Sequence, residues 1–454
     1  MKSISRNADN GNSFESSIET FFSQFQIFSI ARKAHATKTK GISFKVLWTF
    51  LVSVLLSGHS SFRNFQMQEL PFSEKTYRNL LNNPKVDWQL FLACLAQKVT
   101  TYFSSLTSEE RKNVFIVDDS MYERLNAKKV ELAALQFDHA SHTYKKGFRF
   151  LQLGWSDGNS YVPVSFSLLS GKNKVSQENE TDKRSLASKR KQQAQGKGTE
   201  VMLELLSLAL KRGVKASYIL FDSWFSSPKM FQEIRALELH AVTLLKRSSK
   251  VHYFYQGHAV DVKSLFKQLR KRRGRGRSRY LLSVEVEAHV DDGVIPIKLV
   301  YVRNRNKRKE YLVLATTDTT LTEDEIIQLY GKRWAIEVFF KMCKQYLQLS
   351  KYQGLFYDGI FAHTTLVCVS YTLLSVQHRQ ANDDRTIGEL FYLMVSELAD
   401  LTFEEAIFQL LELFREALKE EMILSESVLQ DILEKFLSLL PKESQMRLKT
   451  ANAY

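Results

Sequence analysis

Tyr330-Gly-Lys-Arg333-Trp-Ala-Ile-Glu337-Val-Phe-Phe-Lys-Met-Cys-Lys344 contains no proline and no glycine after Gly331. Its residues are good helix formers, so the stretch predicts one helix. At about 100° per residue, Tyr330, Arg333, Glu337 and Lys344 fall within an arc of roughly 60°. Phe339, Met342, Cys343, Tyr346 and Leu347 lie on the other side and are expected to face a core. One helix face therefore carries an acid, two cations and a phenol. A carboxylate set among phosphate-binding groups suits metal-dependent chemistry on a phosphodiester.

Two upstream segments supply further acids. Val114-Phe-Ile-Val117 is a β-branched run that ends on Asp118 and Asp119, and Ser217-Tyr-Ile-Leu-Phe221 ends on Asp222. Acids at the carboxyl ends of neighbouring strands converge at one edge of an α/β sheet. Glu337, on a helix beside that sheet, would complete a three-carboxylate cluster of hard oxygen donors suited to Mg²⁺ or Mn²⁺. Two such ions can activate a nucleophile and stabilise the leaving oxygen of an in-line displacement. Asp118 directly ends the apolar run and is the expected ligand. Asp119 is the alternative, because a shift of one residue turns the side chain to the other face. Taken singly, a strand-end Asp is a turn residue and a helix Glu is solvated; the three in this order carry the reading.

The 454 residues allow two or three domains, and the net charge of +15 favours a polyanionic partner, nucleic acid before anionic membrane. Cys94, Cys343 and Cys368 are far apart in apolar contexts, which predicts buried free thiols in a reducing compartment. The chain up to Ser13 is polar, without a signal-peptide core. Phe44–Leu56 is too short to span a bilayer, and Ile360–Val376 is interrupted by His363 and several hydroxyls. Both predict buried helices of a cytoplasmic protein with no membrane partner.

The organisation follows from the changing pattern. Residues 1–13 read as disordered. Residues 1–108 form a helical N-terminal region with basic faces, including a short helix capped at Ser73, and are a candidate DNA-binding region in which a helix-turn-helix is one option. An α/β core occupies 109–247 and 321–378. Within it, Phe148–Trp155 and Tyr161–Leu169 form a hairpin across Ser156-Asp-Gly-Asn-Ser. Residues 171–198 are polar and basic and predict a loop. Residues 248–320 predict a β-rich insertion with runs at Tyr280–Ala288, Ile295–Arg303 and Glu310–Thr316. Residues 379–454 predict an acid-rich helical region, a candidate for self-association.

Arg270, Lys271, Arg272, Arg273, Arg275, Arg277 and Arg279 place seven cations in ten positions, interrupted by Gly274 and Gly276. That density predicts contact with a phosphate backbone. His139 and His142 have metal-like spacing without a partner and read as surface loop. Ser223 and Ser226 lack the glycines of a nucleophile elbow, and neither a Walker loop nor a dinucleotide fingerprint occurs.

The chain closely resembles the DDE transposases of bacterial insertion sequences, in the family marked by a Tyr-(2)-Arg-(3)-Glu-(6)-Lys signature. Tyr330, Arg333, Glu337 and Lys344 match that spacing without a gap. Asp118 in Val-Asp-Asp-Ser and Asp222 in Leu-Phe-Asp-Ser-Trp-Phe match the family's first two acids. The resemblance covers about residues 110–350. It implies a ribonuclease-H-like catalytic core with the insertion between Asp222 and Glu337, and two Mg²⁺ ions (Mn²⁺ as substitute) on Asp118, Asp222 and Glu337. It also implies that Tyr330, Arg333 and Lys344 grip phosphates. The implied substrate is double-stranded DNA, as terminal inverted repeats and target, held by a homodimer on paired ends. Water would free a 3′-hydroxyl, which would attack the opposite strand or target DNA. Some members stack a flipped base on a tryptophan in the insertion. Here no Trp lies between Trp224 and Trp334, so Tyr253, Phe254, Tyr255 and Tyr280 are the candidate platforms. A transposase-derived DNA-binding protein without catalysis and a nuclease without strand transfer are the competing readings.

Overall fold

The computed structural model describes residues 18–38, 41–56, 65, 70–107, 111–126, 128–138, 141–171, 184–271, 280–291, 293–304 and 310–381. Residues 1–13, His139, Arg272, Arg273, Arg275, Arg277 and the acid-rich region from Glu389 lie outside them. The described residues belong to one compact unit.

Ahead of the first strand the described residues include a helical stretch at 18–24 and the helices α1 (Ile27–Lys33), α2 (Phe44–Leu56), α3 (Glu74–Leu81) and α4 (Trp88–Ser105). The side chain of Asp87 caps α4 by accepting the Leu90 N–H. Ser73 stands at the N-cap of α3, but its side chain makes no capping bond.

The mixed sheet begins with β1 (Val114–Glu123), β2 (Ala134–Asp138), β3 (Thr143–Ser156) and β4 (Tyr161–Leu169). Helices α5 (Leu186–Ala194) and α6 (Gly198–Lys211) lead to β5 (Tyr218–Phe221), α7 (Pro228–Ala236) and β6 (His240–Leu244). Then come β7 (His252–Tyr255), β8 (His258–Asp261), α8 (Val262–Gln268), β9 (Tyr280–Val290), β10 (Gly293–Arg303) and β11 (Tyr311–Thr316). The chain continues through α9 (Glu323–Gly331), α10 (Trp334–Gln345) and α11 (Tyr357–Ala381).

Three expectations need correction. The predicted loop at 171–198 contains α5, whose buried Arg190 donates to Asp358 and to the Val86 carbonyl. A lone buried arginine made that stretch look solvated in sequence. The strand carrying Asp118 does not end there: β1 runs five residues further because it pairs with β3 along its whole length, Val114↔Ser156 to Glu123↔Gly147. The opening stretch is two helices. Lys332 and Arg333 keep helical dihedrals, but their N–H groups bond to Leu329 and Tyr330, three residues back, so a tight turn separates α9 from α10.

The strand order is β2-β3-β1-β5-β6-β11-β10-β9-β7-β8, with β4 also on β3. β1, β5 and β6 are parallel, and β11 joins β6 antiparallel. The strands of the predicted insertion thus continue the same sheet. α11 packs on β4 and against α2, α3 and α4. Its threonines Thr364, Thr365 and Thr372 donate to carbonyls four residues back within the helix, and Ser375 donates to the Tyr161 carbonyl. It is the one described helix long and apolar enough to cross a bilayer, and 83% of its most apolar window is buried here.

Candidate active site

The parallel pairing of β1 with β5 runs to Ile116↔Leu220. Carried on two residues, that register sets Asp118 level with Asp222. Side chains alternate along a strand, so Asp118 and Asp119 leave opposite faces of the sheet. The two faces build two different clusters.

On the first face, Asp118 meets α10. Arg333 Nη1 donates to Asp118 Oδ2 at 2.6 Å, and Arg333 Nη2 donates to Glu337 Oε1. The Arg333 guanidinium also lies 6.0 Å from the centre of the Tyr330 ring. Ser120, two residues along the same face of β1, accepts a 2.7 Å bond from Lys344 Nζ. α10 is fixed by its apolar side. Phe339 and Phe340 pack on Phe150 at 6.3 and 5.5 Å, and Phe339 on Tyr161 and Tyr371 at 5.1 and 4.9 Å. Phe339 and Cys343 are buried as the helical spacing predicts, and Leu347 is buried just beyond the end of α10; Tyr346, at the C-cap, is 61% exposed.

The electrostatics follow from this packing. Burial pushes the Asp118 carboxyl up to about 6; Asp119 and Asp222 add to the shift, while Arg333 and the Asp119 N–H oppose it. Burial raises the Tyr330 phenol to about 12. Arg333 loses hydration, but Asp118, Tyr330 and Glu337 outweigh that loss and raise its pKa. Lys332, on the turn between α9 and α10, is lowered to about 8 by burial while donating to the carbonyls of Lys112 and Asp157.

On the second face, Asp119 Oδ2 accepts from Arg149 Nε at 2.6 Å. The Arg149 guanidinium lies 4.4 Å over the Trp224 ring. Trp224 in turn donates its backbone N–H to Asp222 Oδ1 at 2.7 Å. Asp222, just past the end of β5, also acts electrostatically on Asp118 and Tyr330 of the first face. Neither Arg149 nor Trp224 was singled out from sequence. The only signal there was an aromatic two residues after a strand-end acid.

The structure brings Asp118, Asp222, Tyr330, Arg333 and Glu337 together and sets Lys344 of α10 against Ser120, on the strand that carries Asp118. It places the aromatic candidates elsewhere. β7 stands six strands from β1 in the sheet order. Tyr253 is buried, Phe254 stacks on His289 at 3.7 Å, and Tyr255 and Tyr280 are half-buried. Arg270 is exposed just beyond α8, and His142 is an exposed residue in the left-handed region at φ 54°.

Among the described residues, no three His, Cys, Asp or Glu side chains form a ready metal-holding group. In donor chemistry, however, the three carboxylates fit a hard divalent cation. The guanidinium bound to both Asp118 and Glu337 shows that a positive charge is accommodated between them. Sites that hold a pair of metal ions recur in phosphatases, polymerases and nucleases. A family model described as DDE superfamily endonuclease matches residues 58–292, just over half of the chain, and the chain belongs to that family. The matched segment contains Asp118 and Asp222; Glu337 follows it. No curated protein matches the chain. The superfamily's activity is endonucleolytic and uses divalent metals, with DNA as substrate.

Proposed function

We propose that the chain is a cut-and-paste transposase that cleaves the ends of an insertion sequence and joins the freed 3′-hydroxyl to target DNA. The observation that carries this reading is the arrangement of Asp118 and Glu337 on one guanidinium beside Asp222. Asp118, Asp222 and Glu337 would hold two Mg²⁺ ions, with Mn²⁺ as substitute; bound, these supply nucleophile activation and stabilisation of the leaving oxygen. Arg333, Tyr330 and Lys344 line the same edge as donors to phosphate. The order of β3, β1, β5 and β6, antiparallel then parallel, supports a ribonuclease-H-like core. The net charge of +15 supports DNA as partner. The working form is a homodimer on paired terminal inverted repeats, acting in the cytoplasm.

A DNA-binding protein without cleavage is favoured by one observation: Arg333 occupies both Asp118 and Glu337. Incubation of the purified chain with Mg²⁺ or Mn²⁺ and a labelled repeat from the flanks of its own gene separates the readings. Metal-dependent cuts, abolished by Asp222→Asn and by Glu337→Gln with DNA binding kept, are the expected result. A gel that resolves hairpin from linear ends reads the route, and joining of the end to a plasmid reads strand transfer. No cleavage by the wild-type chain would overturn the enzyme reading.

A further inference from the structure

The acids are flanked on both faces of the sheet. On one face stand Arg333 and α10, which the proposed reaction uses. On the other, Arg149 and Trp224 form a second built group that it leaves unused. We propose that Arg149 and Trp224 form a nucleotide subsite, in which Arg149 binds a DNA phosphate on the side of the acids opposite Arg333. This rests on the transposase reading and adds a contact to it.

The geometry is that of a presented cation. Asp119 takes only the Nε of Arg149, at 2.6 Å, leaving the two terminal nitrogens of the fork without an acceptor among the described residues. The guanidinium plane is held from a second side by the Trp224 ring at 4.4 Å. Such a stack fixes an arginine fork while leaving its donors available, and a fixed fork matches a phosphate in a bidentate way. Trp224 is itself held. Phe225 packs against it edge to face at 4.8 Å, and its ring closes on Gly198, where an added Cβ would come within 3.1 Å of the indole. Yet Trp224 remains 37% exposed, so part of the indole is available to the sugar or base next to that phosphate. The Trp224 backbone N–H donates to Asp222 Oδ1, a turn contact that sets Trp224 two residues after a proposed metal ligand. A strand crossing the sheet edge would be gripped on either side of the point of cleavage.

The test is binding of the full chain to a terminal-repeat duplex without divalent metal, read by fluorescence anisotropy across a salt series. A parallel scan replaces single phosphates by neutral methylphosphonates. Arg149→Gln is expected to lower the slope of log K against log[salt] by about 1. It is also expected to make one phosphate indifferent to neutralisation, a different one from that affected by Arg333→Gln. Trp224→Ala keeps the Asp119–Arg149 pair and removes the stacking surface; it is expected to weaken sensitivity at the same phosphate, and Trp224→Phe to retain it. It carries the test if Arg149→Gln does not fold. Normal end binding with an unchanged slope and phosphate pattern in these variants overturns the subsite alone. Failure of the wild-type chain to bind its ends overturns the transposase reading and the subsite together.

Discussion

Arg333 donates to Asp118 at 2.6 Å across 215 positions of sequence. The same guanidinium donates to Glu337, so one cation neutralises the acid of a strand and the acid of a helix. A divalent ion on these carboxylates would compete with Arg333 for them. Arg333→Gln is therefore expected to tighten Mn²⁺ binding by the DNA-free chain by about tenfold, or about 1.4 kcal/mol. Titration followed by electron paramagnetic resonance checks this. The same substitution is expected to weaken binding to DNA ends, which separates the two roles of the side chain.

The position of Glu337 depends on Phe339, which is buried against Phe150, Tyr161 and Tyr371. Phe339→Ala is expected to lower stability by roughly 3–5 kcal/mol, the usual cost of emptying an aromatic site in a packed core. Chemical denaturation would show it as a lower midpoint. Phe339→Leu is expected to lose markedly less.

Arg190 joins α5 to the start of α11, donating twice to Asp358 and once to the Val86 carbonyl. Removing one partner of a buried pair leaves the other charge unpaired in a poorly solvating site. Asp358→Ala is expected to cost about 3 kcal/mol in thermal unfolding, with a smaller loss for the double change with Arg190→Met.

His363 is buried in α11, stacked on Tyr352 at 5.0 Å and bonded to the Gln348 carbonyl. Burial lowers its pKa from 6.5 to about 4. Above pH 6.5 both folded and unfolded chains hold it neutral, and its contribution is fully present. As pH falls from 6.5 to 4 the unfolded chain takes up a proton that the folded chain refuses, so stability declines by about 3 kcal/mol and then levels off. Unfolding free energies across this window should show the slope, and His363→Gln should remove this component of it.

Much of the site was readable in one dimension because its parts are short-range patterns. The helical spacing of Tyr330, Arg333 and Glu337 is local, and so is an apolar run that ends on an acid. Periodicity also located the strands later seen at Tyr280–Val290, Gly293–Arg303 and Tyr311–Thr316. The tight turn at Lys332 and Arg333 escaped because those residues have good helix propensity; a shift of hydrogen bonds to carbonyls three residues back breaks the helix there. The helix Leu186–Ala194 escaped because few apolar residues mark it, and its anchor is a buried ion pair with a residue 168 positions away.

The chain's local pattern was sufficient to mark the acids and cations proposed for the chemistry, since residue type and spacing along one strand or helix can be read without the fold. Which of Asp118 and Asp119 faces α10 was decided by the tertiary structure. Strand alternation separates the two, but only the pairing of β1 with β3 and the packing of Phe339 on Phe150 choose the face that each meets. The partnership of Arg149 with Trp224 was likewise invisible in sequence. Those residues are 75 positions apart by their numbers and meet only because β3 and the end of β5 flank the same strand.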